Sequence, residues 1–206
     1  MIPAIVIAAG RSTRMGRPKP LLTLPPDGAT FVERLTRSLI LGGVADVLVV
    51  VRPDDRALAQ EIERIAATGI AVRAIDNPDA DRGQLSSVVA GLNAADRPGV
   101  RGIMLSPVDA PLVRSDTVRT LIETFASRPA PIVRATYRGR HGHPVIFSRA
   151  VFDGIRHADP SIGARAVVRA HAGELIDLDV DDPGVVLDVD DPDDYARLVA
   201  RTSDSE

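Results

Sequence analysis

Four cations crowd one short stretch of the chain. Arg11, Arg14, Arg17 and Lys19 follow directly on the apolar run Ile5-Val6-Ile7 and the small triplet Ala8-Ala9-Gly10. Small residues after a strand let backbone N–H groups approach a ligand, and fixed cations beside such N–H groups suit phosphate oxygens. Lys19 is the only lysine; the other 24 of the 25 Lys and Arg residues are arginine. A guanidinium offers a planar fork, whereas an ammonium is a compact charge on a flexible stem, as phosphoryl chemistry often uses. Taken by itself the stretch also fits a solvated basic loop. It is not a Walker loop, since five residues separate Gly10 from Gly16 and Arg17-Pro18 follow. Nor is it the dinucleotide fingerprint, which needs three closely spaced glycines.

Acidic candidates lie further on. The run Arg101 to Ser106 reads as a strand that ends in Pro107-Val108-Asp109-Ala110-Pro111. Ser115 or Asp116 is better placed than Asp109 to cap the next helix, which leaves Asp109 free at a strand's carboxyl end. A hard oxygen ligand beside a phosphate loop suits magnesium. Residues Asp177 to Asp194 hold nine aspartates within 18 positions. They do not form an EF-hand, because Gly184 falls at the wrong offset and Pro183 intrudes. His141 and His143 flank Gly142 and admit a metal pair or a general base, although no third ligand stands near them in sequence; solvated or substrate-lining histidines are the other reading.

The elements that must position these residues alternate. Thr30 can cap a helix with Phe31, Leu35, Leu39 and Ile40 on one face, ended by Gly42-Gly43. Val44 to Val51 reads as a buried strand, Asp54 or Asp55 starts a second helix, and Ile70 to Ile75 is a third strand. Such alternation implies parallel strands joined by right-handed crossovers. Ligands of an open parallel sheet bind outside the carboxyl ends of its strands, where the turn-rich Asp76 to Ser87 also lies, before a helix over roughly 85–94. Further on, Ile132 to Tyr137 reads as a strand, Arg138 to Gly142 as an exposed hairpin tip, and Ser161 to His171 as a short helix. The valines and leucines among the C-terminal aspartates alternate as strand edges do. Pro192 suits a helix's first turn, with Asp191, Asp193 and Asp194 favouring its N-terminus through the dipole, and residues 201–206 are expected to fray.

Length and composition limit the rest. At 206 residues the chain suits one α/β domain. A formal charge of −3 argues against a nucleic-acid-coating protein, and the scarcity of aromatics argues against a base-stacking platform. Without cysteine, disulfides and thiolate chemistry are impossible. The apolar start lacks a cationic flank and no apolar run nears a membrane span of ~18 residues, so a cytoplasmic protein is expected.

With Ile7 for leucine, Ala8 to Lys19 resembles the pattern Leu-Ala-Ala/Gly-Gly-x-Ser-x-Arg-Met-Gly-x-x-Lys over about thirteen positions. That pattern marks nucleotidyltransferases related to the molybdenum-cofactor guanylyl- and cytidylyltransferases. The resemblance implies a single-domain, Rossmann-like three-layer fold with a mostly parallel sheet. It implies that Ala8, Ala9, Gly10, Arg11 and Ser12 bind the nucleotide. It gives Asn77, Gly83, Ser86 and Ser87 the base and ribose, with Gln84 where methionine is commoner. Asp109 then matches the Mg2+ aspartate of Gly-Asp-x-Pro, although Val108 replaces the glycine. Asp190 is implied as the second metal contact, ahead of Asp188. His143 and Pro144 match a Gly-x-Pro-x-x-Phe segment beside the acceptor, and Gly163-Ala164-Arg165 a Gly-x-Arg stretch.

The implied chemistry is nucleotidyl transfer. A nucleoside triphosphate brings about four negative charges, which Arg14, Lys19 and a Mg2+ on Asp109 and Asp190 would offset as pyrophosphate leaves. Ala8-Ala9-Gly10 and the absence of Gly-Gly-x-Asp-Lys favour CTP over GTP, with the molybdenum cofactor as acceptor and a molybdoenzyme or its chaperone as a downstream partner. Rival expectations are a guanylyltransferase, a methylerythritol-phosphate cytidylyltransferase, whose His-Asp-x-Ala-Arg-Pro motif is lacking, and a non-catalytic nucleotide-binding module.

Overall fold

The computed structural model describes residues 1–203. Strand β1 (Ala4–Ile7) is covered on both faces, which explains a continuous apolar run where a half-exposed strand would alternate. A small ribbon follows, β2 (Thr23–Leu24) with β3 (Ala29–Thr30), which the sequence reading did not include. Helix α1 (Phe31–Gly42) starts where Thr30 Oγ1 accepts the Glu33 N–H at 3.2 Å, as expected. Next come β4 (Val47–Val51) and α2 (Arg56–Ala66), the latter capped by Asp55, whose Oδ1 accepts the Leu58 N–H at 3.1 Å. The order continues with β5 (Val72–Asp76), α3 (Gln84–Ala95), β6 (Gly102–Pro107), α4 (Ser115–Ser127), β7 (Ile132–Tyr137) and β8 (Arg140–Ser148). Two short helices, α5 (Phe152–Arg156) and α6 (Arg165–Ala170), lead to β9 (Ile176–Asp179) and α7 (Pro192–Ser203).

The sheet runs β5-β4-β1-β6-β8-β7-β9, parallel throughout except for β8, which opposes β6 and β7. This is the mostly parallel α/β architecture expected from the alternation of elements. One face packs against α1, α2 and α4 through Leu35, Leu39, Leu58, Ile62, Val118 and Leu121. The other packs against α3 and α5 through Val88, Leu92, Phe152 and Ile155. Among the described residues, no helix is long and apolar enough to cross a membrane. Because β8 runs against its neighbours, its first residues reach the edge where β1, β4 and β6 end.

Four expectations change. Val185 and Val186 lie in a short 3-10 turn (Pro183–Val186), and Leu187 and Val189 are not in a strand either. The cause is Asp182, buried and bonded to the Gly184 N–H at 2.9 Å, the Arg114 N–H at 2.9 Å and Thr117 Oγ1 at 2.7 Å. That carboxylate also caps α4 from a distance, so neither Ser115 nor Asp116 does so. The hairpin tip is narrower than expected, since β8 already begins at Arg140. The C-terminal segment expected to fray is helical through Ser203; residues 204–206 lie outside the described residues.

Candidate functional site

The loop after β1 is organised by Ser12. Its φ of 49° turns the backbone, and its carbonyl accepts the N–H groups of Met15 and Gly16, each at 3.1 Å. A non-glycine residue in that region is sparsely populated, and such positions cluster where a loop must present itself to a ligand. Met15 anchors the loop in the core. Ser12 Oγ then accepts the Lys19 N–H at 3.1 Å, which fixes where the lysine leaves the backbone.

Lys19 points between two carboxylates. Its Nζ lies 2.8 Å from Asp190 Oδ1 and 3.4 Å from Asp109 Oδ2. Asp109 arrives at the end of β6, and Asp190 on the segment after the 3-10 turn, tied in by the Val189 N–H to the Asp109 carbonyl at 3.2 Å. Arg14 reaches Asp190 from the solvent side at 3.4 Å. The two carboxylates share one ammonium yet shift in opposite directions. Burial pushes the Asp109 carboxyl above its ordinary range; Lys19 opposes this, and Asp188 and Asp190 add to it. The Lys19 hydrogen bond instead holds Asp190 below that range, against a smaller burial penalty. The difference follows from exposure, 24% for the Asp109 side chain against 41% for Asp190, and from the shorter contact to Asp190. Burial and the neighbouring Asp190 push Asp188 up as well.

Asp109 and Asp188 are pushed up while Asp190 is compensated by Lys19 and Arg14, and carboxylate oxygens such as these are the donors a hard divalent cation takes. Among the described residues no group of three or more His, Cys, Asp or Glu could hold a metal. Asp109 and Asp190 supply two oxygen donors, so an ion on them would need the rest of its shell from water or phosphate oxygens.

Beside this cluster opens a cleft of about 440 Å³, within the size range of small-molecule sites. It brings together Ala8, Ala9, Gly10, Arg11, Ser12 and Lys19 from the first loop, Gly83 and Ser87 from the start of α3, and Asp109. Gly83 has φ 97° at the head of α3, a conformation that favours glycine. Arg14 and Asp190 stand outside the cleft lining, as do Asn77, Ser86, His143 and Pro144. Asn77 is a brace: its amide donates to Ser86 Oγ and Ser87 Oγ at 2.9 Å each, and its Oδ1 accepts the Asp79 N–H at 3.0 Å. Val108 is buried in the cleft wall where the related pattern has glycine.

His143 lies in the first residues of β8, with its Nδ1 buried and without a hydrogen-bond partner. Burial pushes its pKa down and nearby Arg165 reinforces this, while Asp109 and the Leu105 backbone oppose it. Its ring is therefore neutral at pH 7. His141 is more exposed and faces Asp177 at 3.6 Å, so the two histidines do not form a metal pair. Sequence reasoning missed Arg52 and Asp81, which also line the cleft. Arg52 could have been found, because it directly follows β4 at the ligand-binding edge.

Fold and cleft mark the class: a Rossmann-like α/β protein that presents a phosphate-type loop and a carboxylate-held lysine at one sheet edge. Residues 4–175 match the MobA-like NTP transferase domain, and the chain belongs to that family as a nucleotidyltransferase. It is similar to the purine catabolism protein PucB of Bacillus subtilis, 27% identical over 93% of this chain and 92% of that one. It is also 31% identical to nicotine blue oxidoreductase of Paenarthrobacter nicotinovorans, over 96% of each chain. Among solved structures, Rv0371c of Mycobacterium tuberculosis superposes with a TM-score of 0.77 at 29% identity, over 97% of this chain and 98% of that one. The same protein has been solved in complex with manganese.

Proposed function

We propose that this chain is a Mg2+-dependent cytidylyltransferase that moves CMP from CTP to the phosphate of the molybdenum cofactor, with release of pyrophosphate. The observation that carries the transfer reading is the Lys19 ammonium, 2.8 Å from Asp190 and 3.4 Å from Asp109, at one end of a nucleotide-sized cleft.

In the reaction an acceptor phosphate oxygen bonds to the α-phosphorus of CTP. The α–β phosphoanhydride bond breaks and its electron pair leaves with pyrophosphate. The acceptor attacks as an anion, so the chain needs no general base. Lys19 offsets charge that grows on the leaving group, in a partly buried site where that is worth more than in water, and Arg14 adds to it from the solvent side. Asp109 and Asp190 would hold Mg2+, which when bound supplies Lewis-acid neutralisation at phosphate oxygens. The complex of Rv0371c with manganese supports a divalent ion in this role. His143, neutral and beside the buried Pro144, is assigned the acceptor side of the site, where its buried Nδ1 makes no contact with solvent and the ring acts by shape.

Base choice rests on Ala9. Ala9 lines the cleft, and a pyrimidine needs less depth there than a purine. Pro18 is exposed and outside the cleft, so it adds nothing to that choice. The test is release of labelled pyrophosphate from CTP with the molybdenum cofactor, run beside methylerythritol phosphate as acceptor. Transfer to the cofactor alone supports the reading. No release with any nucleotide would favour a module that binds without transfer, or an activity of the kind the second relative's name records.

A further inference from the structure

We infer that Asp81 is a built-in competitor for the nucleotide's phosphates: its carboxylate occupies an anion subsite formed by Arg11 and Arg52, and bound polyphosphate displaces it. The inference rests on the nucleotidyl-transfer reading and deepens it.

The two guanidiniums come from different strand ends, Arg11 from the loop after β1 and Arg52 from the position after β4. Both line the cleft, as does Asp81. They converge on one atom. Asp81 Oδ1 accepts from Arg11 Nε at 3.2 Å, Arg11 Nη2 at 3.0 Å and Arg52 Nη2 at 2.9 Å, whereas Oδ2 accepts only from Arg11 Nη2, at 3.2 Å. Two guanidiniums repel each other unless an anion sits between them, and such a convergence of planar forks is a geometry that phosphate oxygens accept. Among the described residues, Arg52's other carboxylate is the more distant Asp54, at 3.7 Å.

Exposure separates the partners. The Arg52 side chain is 17% exposed and held by the fold, while that of Asp81 is 67% exposed. Asp81 is not needed to shape its own loop. The buried Asn77 does that through Ser86, Ser87 and the Asp79 N–H, and the Arg82 N–H closes the turn on the Asp79 carbonyl at 2.9 Å. A carboxylate that bonds two cleft arginines without building the backbone has one evident effect, to hold the anion subsite until a stronger anion arrives. Exchange of one anion for another keeps the subsite's charge compensated and lowers the net gain on binding.

The experiment is calorimetric titration of inorganic pyrophosphate, CTP and GTP into the wild type, Asp81→Asn and Asp79→Asn. Asp79→Asn removes the same charge from the same loop without touching Arg11 or Arg52. Asp81→Asn is expected to tighten pyrophosphate and both nucleotides about three- to tenfold, the scale of partly exposed ion pairs, and alike for either base. Asp79→Asn is expected to leave affinity unchanged, and adding Arg52→Ala to Asp81→Asn to abolish the gain. Weaker binding in Asp81→Asn would make the carboxylate a structural tie, and equal tightening in Asp79→Asn would make the effect a general field; either overturns the inference. If the wild type binds neither pyrophosphate nor any nucleotide, the transfer reading falls as well. If the wild type binds and only Asp81→Asn loosens, the transfer reading stands without this inference.

Discussion

The Lys19 ammonium lies 2.8 Å from the Asp190 carboxylate, although 171 positions separate the two residues. The contact fastens the segment before α7 to the loop after β1. Ser12 fixes the lysine's exit at one side, and the Val189 N–H to the Asp109 carbonyl fixes the aspartate's approach at the other.

Lys19→Ala is expected to lower turnover by about 10²–10³-fold, the scale for removing one preorganised charge partner from a transition state. The fold should survive, because the lysine is partly solvent-accessible and packs no core. Lys19→Arg is expected to be poor as well, since a bulkier, delocalised charge does not fit between two carboxylates at these distances. Pyrophosphate-release kinetics with circular dichroism check this; near-normal turnover in Lys19→Arg would refute the importance given to the only lysine.

Asp109→Asn is expected to abolish metal-dependent activity and yet raise the melting temperature near neutral pH. The folded carboxyl has a pKa above its ordinary value, so the protonated form is favoured by folding. That stabilising contribution is fully present below the unfolded carboxylate pKa and is lost as pH rises through the raised folded value. The melting-temperature gap between variant and wild type should thus open as pH rises from the acid range toward 7. A variant less stable than wild type at neutral pH would contradict it. Asp190→Asn is expected to weaken activity, and the exposed Asp193→Asn to be nearly silent.

Gly142→Ala tests how the C-terminal segment is seated. A Cβ at Gly142 would stand 2.0 Å from the Val185 carbonyl oxygen, so β8 and the 3-10 turn cannot both keep their places. The expected cost is about 1–3 kcal/mol of stability, typical of overpacking, with a loss of activity that exceeds the loss of folded protein because Asp190 is displaced. Denaturant midpoints and turnover per folded molecule measure both, and unchanged turnover would show that the segment's position does not matter.

How far the sequence revealed this site depends on whether the cause was local. Thr30, Asp55 and Pro192 act within a turn of their own helices, and each was readable from its neighbours. The first loop was readable because small residues and cations stand in one run. Asp182 was not, since it caps α4 across 65 positions and turns a valine-rich segment that alternates like a strand. Asn77 was placed at the right loop but read as a ligand contact, because nothing in sequence shows that its amide is already engaged by Ser86 and Ser87. The unpaired Nδ1 of His143 follows from the antiparallel entry of β8, a choice of topology that periodicity does not record.

Ala9→Gly is expected to raise GTP use at the expense of CTP. One methyl group discriminates by about 1–3 kcal/mol, or roughly 10–200-fold, so the preference should shift without a full inversion. Parallel kcat/KM values for the two nucleotides decide it, and an unchanged ratio would remove Ala9 from the argument.

The most direct test of the account is a competition assay with equal CTP and GTP, the molybdenum cofactor and Mg2+, reading pyrophosphate and the nucleotide joined to the cofactor. The account predicts a predominantly cytidylyl product, dependent on Mg2+ and lost in Lys19→Ala. A predominantly guanylyl product would contradict the cytidylyl assignment, and no pyrophosphate from either nucleotide would contradict transfer itself.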